Sequence, residues 1–170
     1  MPPKKTPDEQ IAIQGNYLQH TRLPWLGEAQ AGRRLVFFVD AAHFVLASQV
    51  GHVWCHTRLY VRAASGRQRF NVLGASDPIH LKFIDVTSAN TLASAQYVNS
   101  QTVCELLQRI RAQHPTEKIS LVLDHARYQR NALVLAKADE FNLELEFLPS
   151  YSPHLNLIER VWRVVRGRIC

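Results

Sequence analysis

From Arg34 onward the chain carries two apolar runs of the same design. Leu35-Val-Phe-Phe-Val39 and Ile119-Ser-Leu-Val-Leu123 have almost no polar alternation, and each is followed at once by an aspartate, Asp40 and Asp124. Runs of this kind suit strands covered on both faces, the usual situation in a parallel sheet. His43 to Ser48 either extends the first run or begins its partner. Val53 to Arg62 and Gln68 to Leu73 read as strands separated by the turn signal Ala64-Ser65-Gly66. His80 to Val86 reads as a further strand, with Leu81, Phe83 and then Asp85 on one side and Lys82 and Ile84 on the other.

Beyond residue 100 the period lengthens. Val103, Leu106, Leu107 and Ile110 form one stripe of an amphipathic helix that Pro115 ends, and Asn131 to Phe141 predicts a second helix through Leu133, Val134, Ala136 and Ala138. Leu143, Leu145 and Phe147 alternate with Glu144 and Glu146, a strand with one wet face at a sheet edge. Ser152 and Pro153 offer an N-cap and a first-turn proline to a last helix whose apolar face runs Leu155, Ile158, Trp162, Val165, Ile169. The order, strands first and then strands alternating with helices, predicts an α/β domain with a mixed sheet and helices on its faces. Residues 1–32 are polar and proline-containing, with a weakly helical piece from Asp8 to His20. They read as an N-terminal arm or linker ahead of one domain at 33–170.

Composition excludes several classes. At 170 residues, 46% apolar and 20% charged, the chain is neither disordered nor fibrous, and it has room for one well-filled core. No apolar run approaches the length of a membrane span, and no apolar stretch follows the N-terminal lysines as in a secretory signal, so the expected address is the cytoplasm. Cys55, Cys104 and Cys170 are an odd number without a C-x-x-C pair, against a disulfide framework or a zinc ribbon. In His52-Val-Trp-Cys55-His56, strand alternation would turn Cys55 away from both histidines, so no metal site is expected there.

Charge adds more. Net charge is +6, and fifteen of the twenty cations are arginines, whose planar forks suit phosphate. Arg58, Arg62, Arg67 and Arg69 fall in one stretch free of acids, and Arg160, Arg163, Arg166 and Arg168 crowd another; Asp139, Glu140, Glu144 and Glu146 cluster apart. Such a distribution fits either a nucleic-acid surface or a merely solvated face.

The candidate chemistry is carboxylate. If the two apolar runs are neighbouring parallel strands, Asp40 and Asp124 emerge together where ligands of open α/β sheets collect. Glu159 flanks the buried stripe of the last helix and can point back over that place. Three converging carboxylates repel one another, and hard divalent cations such as magnesium or manganese relieve the repulsion. A pair of such ions roughly 4 Å apart can activate a water or hydroxyl against a phosphodiester. The plainer alternatives are turn caps for Asp40 and Asp124 and an i,i+4 pair between Glu159 and Arg163.

Four blocks carry a family resemblance: FFVDAAHFVL at 37–46, GRQRFNVLGA at 66–75, LVLDHARYQ at 121–129 and LPSYSPHLNLIERVW at 148–162. In order and spacing they resemble the catalytic domain of DDE transposases, in the bacterial insertion-sequence branch of the mariner superfamily (the six-thirty group). Thirty-four residues separate Asp124 from Glu159, as between that family's second and third acids. The resemblance implies a ribonuclease H-like fold, antiparallel strands followed by parallel ones. It implies Asp40, Asp124 and Glu159 as catalytic ligands of two magnesium ions, with manganese able to substitute. It also implies metal-dependent cleavage and strand transfer on double-stranded DNA at the nucleoid, and action as a homodimer or larger assembly.

In that frame Arg58, Arg62, Arg67, Arg69, Arg160, Arg163 and Arg166 are the expected DNA-binding cations. Asn156 is expected to hydrogen-bond within the turn before the glutamate helix. His125 stands where the family usually has asparagine, beside a metal ligand, and is expected either to support and perturb the surroundings of the ligands or to supply a stray ligand itself. Ser150 and His154 depart from the family's usual proline and Asn or Asp. Family members continue well past the glutamate helix, and residues 1–32 are too short for their end-recognising helix-turn-helix region. A catalytic frame truncated at its C-terminus, with a partner frame upstream, is therefore expected. The alternative is a degenerate, inactive remnant that still binds DNA or a partner chain.

Overall fold

The computed structural model describes residues 6–46, 68–89, 98–150 and 152–169. The expected strand at 53–62 and the turn at 64–66 lie outside these residues. Five strands form one sheet in the order β3-β2-β1-β4-β5. β1 (Leu35–Leu46), β2 (Gln68–Asp77) and β3 (Lys82–Ala89) form an antiparallel meander, and β4 (Ile119–Leu123) and β5 (Leu143–Phe147) continue the sheet in parallel with β1.

Pleating divides β1 between two cores. Leu35, Phe37 and Val39 pack with α3 (Ser100–Gln113) and α4 (Ala132–Glu140), whereas Val36, Phe38 and Ala42 face the N-terminal helices and α5 (Ile158–Ile169). Both faces are thus covered. The expected double burial of the first and fourth strands holds, with every residue of β4 buried. β5 is the edge strand, as its alternation predicted.

Several local readings change. β1 does not stop at Asp40 but runs six residues further, and β2 extends to Asp77. In β3 the buried positions are Ile84 and Val86, not Leu81 and Phe83. The preceding turn is the reason: the buried Asp77 carboxylate accepts from the backbone N–H of Ile79 and His80 and binds the His80 ring, and Leu81 takes the left-handed conformation at φ 54°. Leu81 is thereby spent on the turn. Of the α4 positions only Val134 and Ala138 are buried. The last helix starts at Ile158; Pro153–Leu155 is a separate single 3₁₀ turn, and Ser152 makes no capping bond. The Ser152 hydroxyl instead accepts from Gln14 at 2.8 Å.

The segment read as an arm is helical and packed. α1 (Pro7–Tyr17) opens on a Thr6–Glu9 capping box and continues through a π turn (Leu18–Arg22) into α2 (Leu23–Gln30). Pro24 accounts for the wide turn: it has no N–H to offer the previous turn, and Leu23 donates five residues back to Leu18. Tyr17 and Ala29 enter the core against Phe38 and Val122.

Arg34 fixes α2 to the sheet. It is nearly inaccessible to solvent, stacks on Trp25 at 4.8 Å, and binds Glu28 of α2, Ser120 of β4 and Glu144 of β5. Among the described residues no helix is long and apolar enough to cross a membrane. Replacing Arg34 with alanine removes its bonds to Glu28, Ser120 and Glu144 and leaves a void beside Trp25, although Ser120 keeps its own bond to Glu144 and both carboxylates keep access to water. The expected loss is about 2–3 kcal/mol, read by denaturant unfolding.

Candidate active site

β1 and β4 hold a constant offset of 84 residues, Leu35 beside Ile119 and Phe38 beside Val122, and the same offset relates Asp40 to Asp124. β4 ends at Leu123, so Asp40 lies inside a long strand at the level where its neighbour terminates. Even-numbered residues of both strands face α5, which puts the Asp40 carboxylate on that side of the sheet, and Asp124 follows β4 closely enough for its charge to act on Asp40.

The third acid comes from α5, and the sequence did not show how this helix is anchored. Asn156 does not close its own turn. Its side-chain amide donates 3.1 Å to the carbonyl oxygen of Val39, a buried bond linking the start of the glutamate helix to the residue before Asp40. The Glu159 N–H then donates to the Asn156 carbonyl at 3.3 Å. Trp162, one turn on, lies over the sheet where β2 offers Gly74, the register partner of Asp40. A Cβ on Gly74 would stand 2.7 Å from the indole and 2.7 Å from Phe83, so only glycine allows this approach. Phe83 and Phe44 meet the indole edge-on.

The electrostatics register the convergence. The Asp40 carboxyl is pushed up to about 6, first by burial and then by the charges of Glu159 and Asp124; the Ala41 N–H and the Trp162 indole oppose the rise. The Tyr128 phenol, in the loop after β4, is pushed up to about 12 by burial and by the same two aspartates. Asp124 is exposed and accepts the backbone N–H of His125 at 2.6 Å. Among the described residues no three Asp, Glu, His or Cys side chains gather closely enough to hold an ion as they stand. The donor set is nonetheless three carboxylates, hard oxygen ligands with mutual repulsion centred on Asp40, which fits magnesium or manganese.

Arg160, Arg163 and Arg166 are exposed on α5. Arg58, Arg62 and Arg67 lie outside the described residues, as do His52, Cys55, His56 and Cys170. Arg69 lies in β2 opposite Val45, and nothing is described of its side chain. Cys104 is a half-buried free thiol, its pKa raised by burial. Sequence reasoning missed Gly74, Tyr128, Trp162 as a site wall, and Arg130, which binds His125; all four lie in or beside the blocks quoted above.

Two effects follow from this packing. Asn156→Ala leaves the buried Val39 carbonyl unpaired, and unfolding should show a loss of about 1–3 kcal/mol. In the metal-free protein, the raised Asp40 pKa means that the folded state binds more protons than the unfolded chain between about pH 4 and 6. Stability from this group is therefore present below pH 4 and lost as pH rises to 6, by about 3 kcal/mol. Asp40→Asn should remove that slope and melt higher than the parent at pH 7.5.

Three comparisons bear on the architecture. Residues 35–169 match the family described as DDE superfamily endonuclease. No curated protein sequence matches the chain. Among solved structures, the Mos1 transposase paired-end complex with the left transposon end superimposes with a TM-score of 0.66 at 14% identity, covering 98% of this chain and 50% of that one. The Mos1 transposase catalytic domain with Raltegravir and Mn gives 0.60 at 14% identity, covering 98% of this chain and 74% of that one. The simian T-cell lymphotropic virus intasome in complex with the PP2A regulatory subunit B56 gamma gives 0.53 at 11% identity, covering 78% and 38%. The shared architecture is the ribonuclease H-like fold, and the chain spans about half the length of the transposase in the paired-end complex.

Proposed function

We propose that the chain, which belongs to the DDE superfamily endonuclease family, is the catalytic domain of an insertion-sequence transposase that cuts and joins DNA strands. The observation that carries this reading is the convergence at Asp40: its own burial, the charge of Asp124 and the charge of Glu159 act on one carboxyl at the level where β4 ends. The quoted blocks favour the bacterial insertion-sequence branch of the mariner superfamily, the six-thirty group.

In this reading Asp40, Asp124 and Glu159 hold two magnesium ions, with manganese as a substitute. Such ions supply the Lewis acidity that activates water or a 3′ hydroxyl and stabilises the leaving oxygen. The protein's own groups do the positioning. The Asn156 bond to Val39 holds the glutamate helix over β1, and Trp162 keeps bulk water from the inner side of Asp40.

Arg160, Arg163 and Arg166, together with Arg58, Arg62, Arg67 and Arg69, grip backbone phosphates of transposon-end and target duplexes. These contacts carry no base readout. End recognition belongs to an upstream helix-turn-helix frame, and the working unit on DNA is a dimer or larger, in the cytoplasm at the nucleoid.

One observation favours the second reading, an inactive remnant that binds DNA or a partner chain: His125 stands beside Asp124 where the family usually has asparagine. Metal titration separates the two. An active domain should melt higher in magnesium or manganese, because an ion bound only by the folded state stabilises it by mass action, by about 2.7 kcal/mol at a hundredfold excess over its dissociation constant. It should also nick end-bearing duplex, and Asp40→Asn, Asp124→Asn and Glu159→Gln should each abolish nicking with the fold retained. Absence of both responses in the parent with both present in His125→Asn establishes the remnant, and absence in both proteins overturns the triad reading.

A further inference from the structure

A second arrangement lies on the β5 side of Asp124, in the loop that leaves β4. The His125 ring stacks on Phe147 with centroids 6.0 Å apart and planes 29° apart. The Arg130 guanidinium carbon sits 5.5 Å from the centroid of the same phenylalanine, and its Nη1 lies 3.2 Å from His125 Nδ1. Arginine can only donate, so Nδ1 must carry the lone pair and the imidazole proton sits on Nε2.

The His125 ring, stacked on Phe147, is the support in this contact. It fixes the plane of Arg130, leaving four of the guanidinium's five N–H groups available. Arg34, Arg109, Lys118 and Lys137 each pair with a carboxylate, but among the described residues neither Arg130 nor Arg127 does, although both are exposed. A free surface arginine must give up rotamer entropy to form a defined contact, and ring stacking removes part of that penalty beforehand.

We propose that Phe147, His125 and Arg130 form a preorganised phosphodiester-binding element, in which His125 is the positioning residue that aims Arg130 at the DNA backbone beside Asp124. This rests on the reading of the chain as a DNA-cutting domain. It gives the departure at position 125 a physical role. Asparagine has no ring to stack on Phe147, whereas the backbone N–H that binds Asp124 is available whichever side chain is present. The histidine is then a strut for an arginine and not a stray metal ligand.

Duplex binding by the full chain across a salt series tests this, with chelator present so that cleavage does not enter. Arg130→Ala should weaken binding and reduce the log–log salt slope by about 1, the effect of losing one phosphate contact. His125→Asn and Arg130→Lys keep the charge; both should retain the slope and lose affinity several-fold. Nitrogen NMR of the parent should report Nδ1 unprotonated and Nε2 protonated, with that preference lost in Arg130→Ala. Thermal melts should show that these exposed substitutions leave the fold intact.

Steep, salt-dependent binding by the parent that Arg130→Ala does not change would overturn the element while leaving the DNA reading standing. Loss of affinity in Arg130→Ala but not in His125→Asn would overturn the strut. A parent with no salt-dependent duplex binding overturns the DNA reading and this element together.

Discussion

In a parallel pair two strands advance together, so the register of β1 against β4 decides which residues share a level when the shorter strand ends. Here that register carries Asp124 out of β4 one residue past its end, near enough to Asp40 for its charge to act there, and strand parity turns Asp40 toward α5. A slip of one residue would send one carboxylate into the opposite core, among Phe37, Leu121 and Leu123. The apolar residues that fix the register are the same ones that fill the cores. Stability and placement of the acids therefore come from a single set of side chains.

That placement works against itself electrostatically. Asp40 is half-buried in the middle of the sheet, under an indole and near two further carboxylates, and its raised pKa records the strain. The surrounding structure withstands it through contacts that do not depend on those charges: the Asn156 bond to the Val39 carbonyl, the glycine-permitted approach of Trp162, and the aromatic contacts of Phe44 and Phe83. A cation would reverse the sign of the local field without moving these supports. Repulsion without an ion and rigidity without an ion are what a site for hard divalent metals requires.

The N-terminal helices belong to the same economy of burial. β5 turns Glu144 and Glu146 toward the face that α1 and α2 cover. Arg34 pairs Glu144, while the Tyr17 phenol is pushed up to about 12 first by burial and then by the charge of Glu146, whose own pKa is raised by burial. An edge strand read as wet on one face is thus half-covered, through a buried arginine that binds both layers.

Much of this was legible in the sequence, because it depends on local periodicity. The apolar runs gave two doubly buried strands, the stripe at Val103, Leu106, Leu107 and Ile110 gave α3, and the spacing of Asp40, Asp124 and Glu159 in a set of family-like blocks gave the candidate triad. What the sequence left undecided depended on distant partners. The length of β1 depends on β2 pairing along Asp40 to Leu46, and the parity of β3 on a turn closed by Asp77. The start of α5 depends on Asn156 finding a carbonyl 117 residues away, and the roles of Gly74 and His125 on which rings come to lie against them. Hydrophobic period is written residue by residue along the chain, whereas these contacts arise only when packing brings separated segments together, so tertiary structure alone decides them.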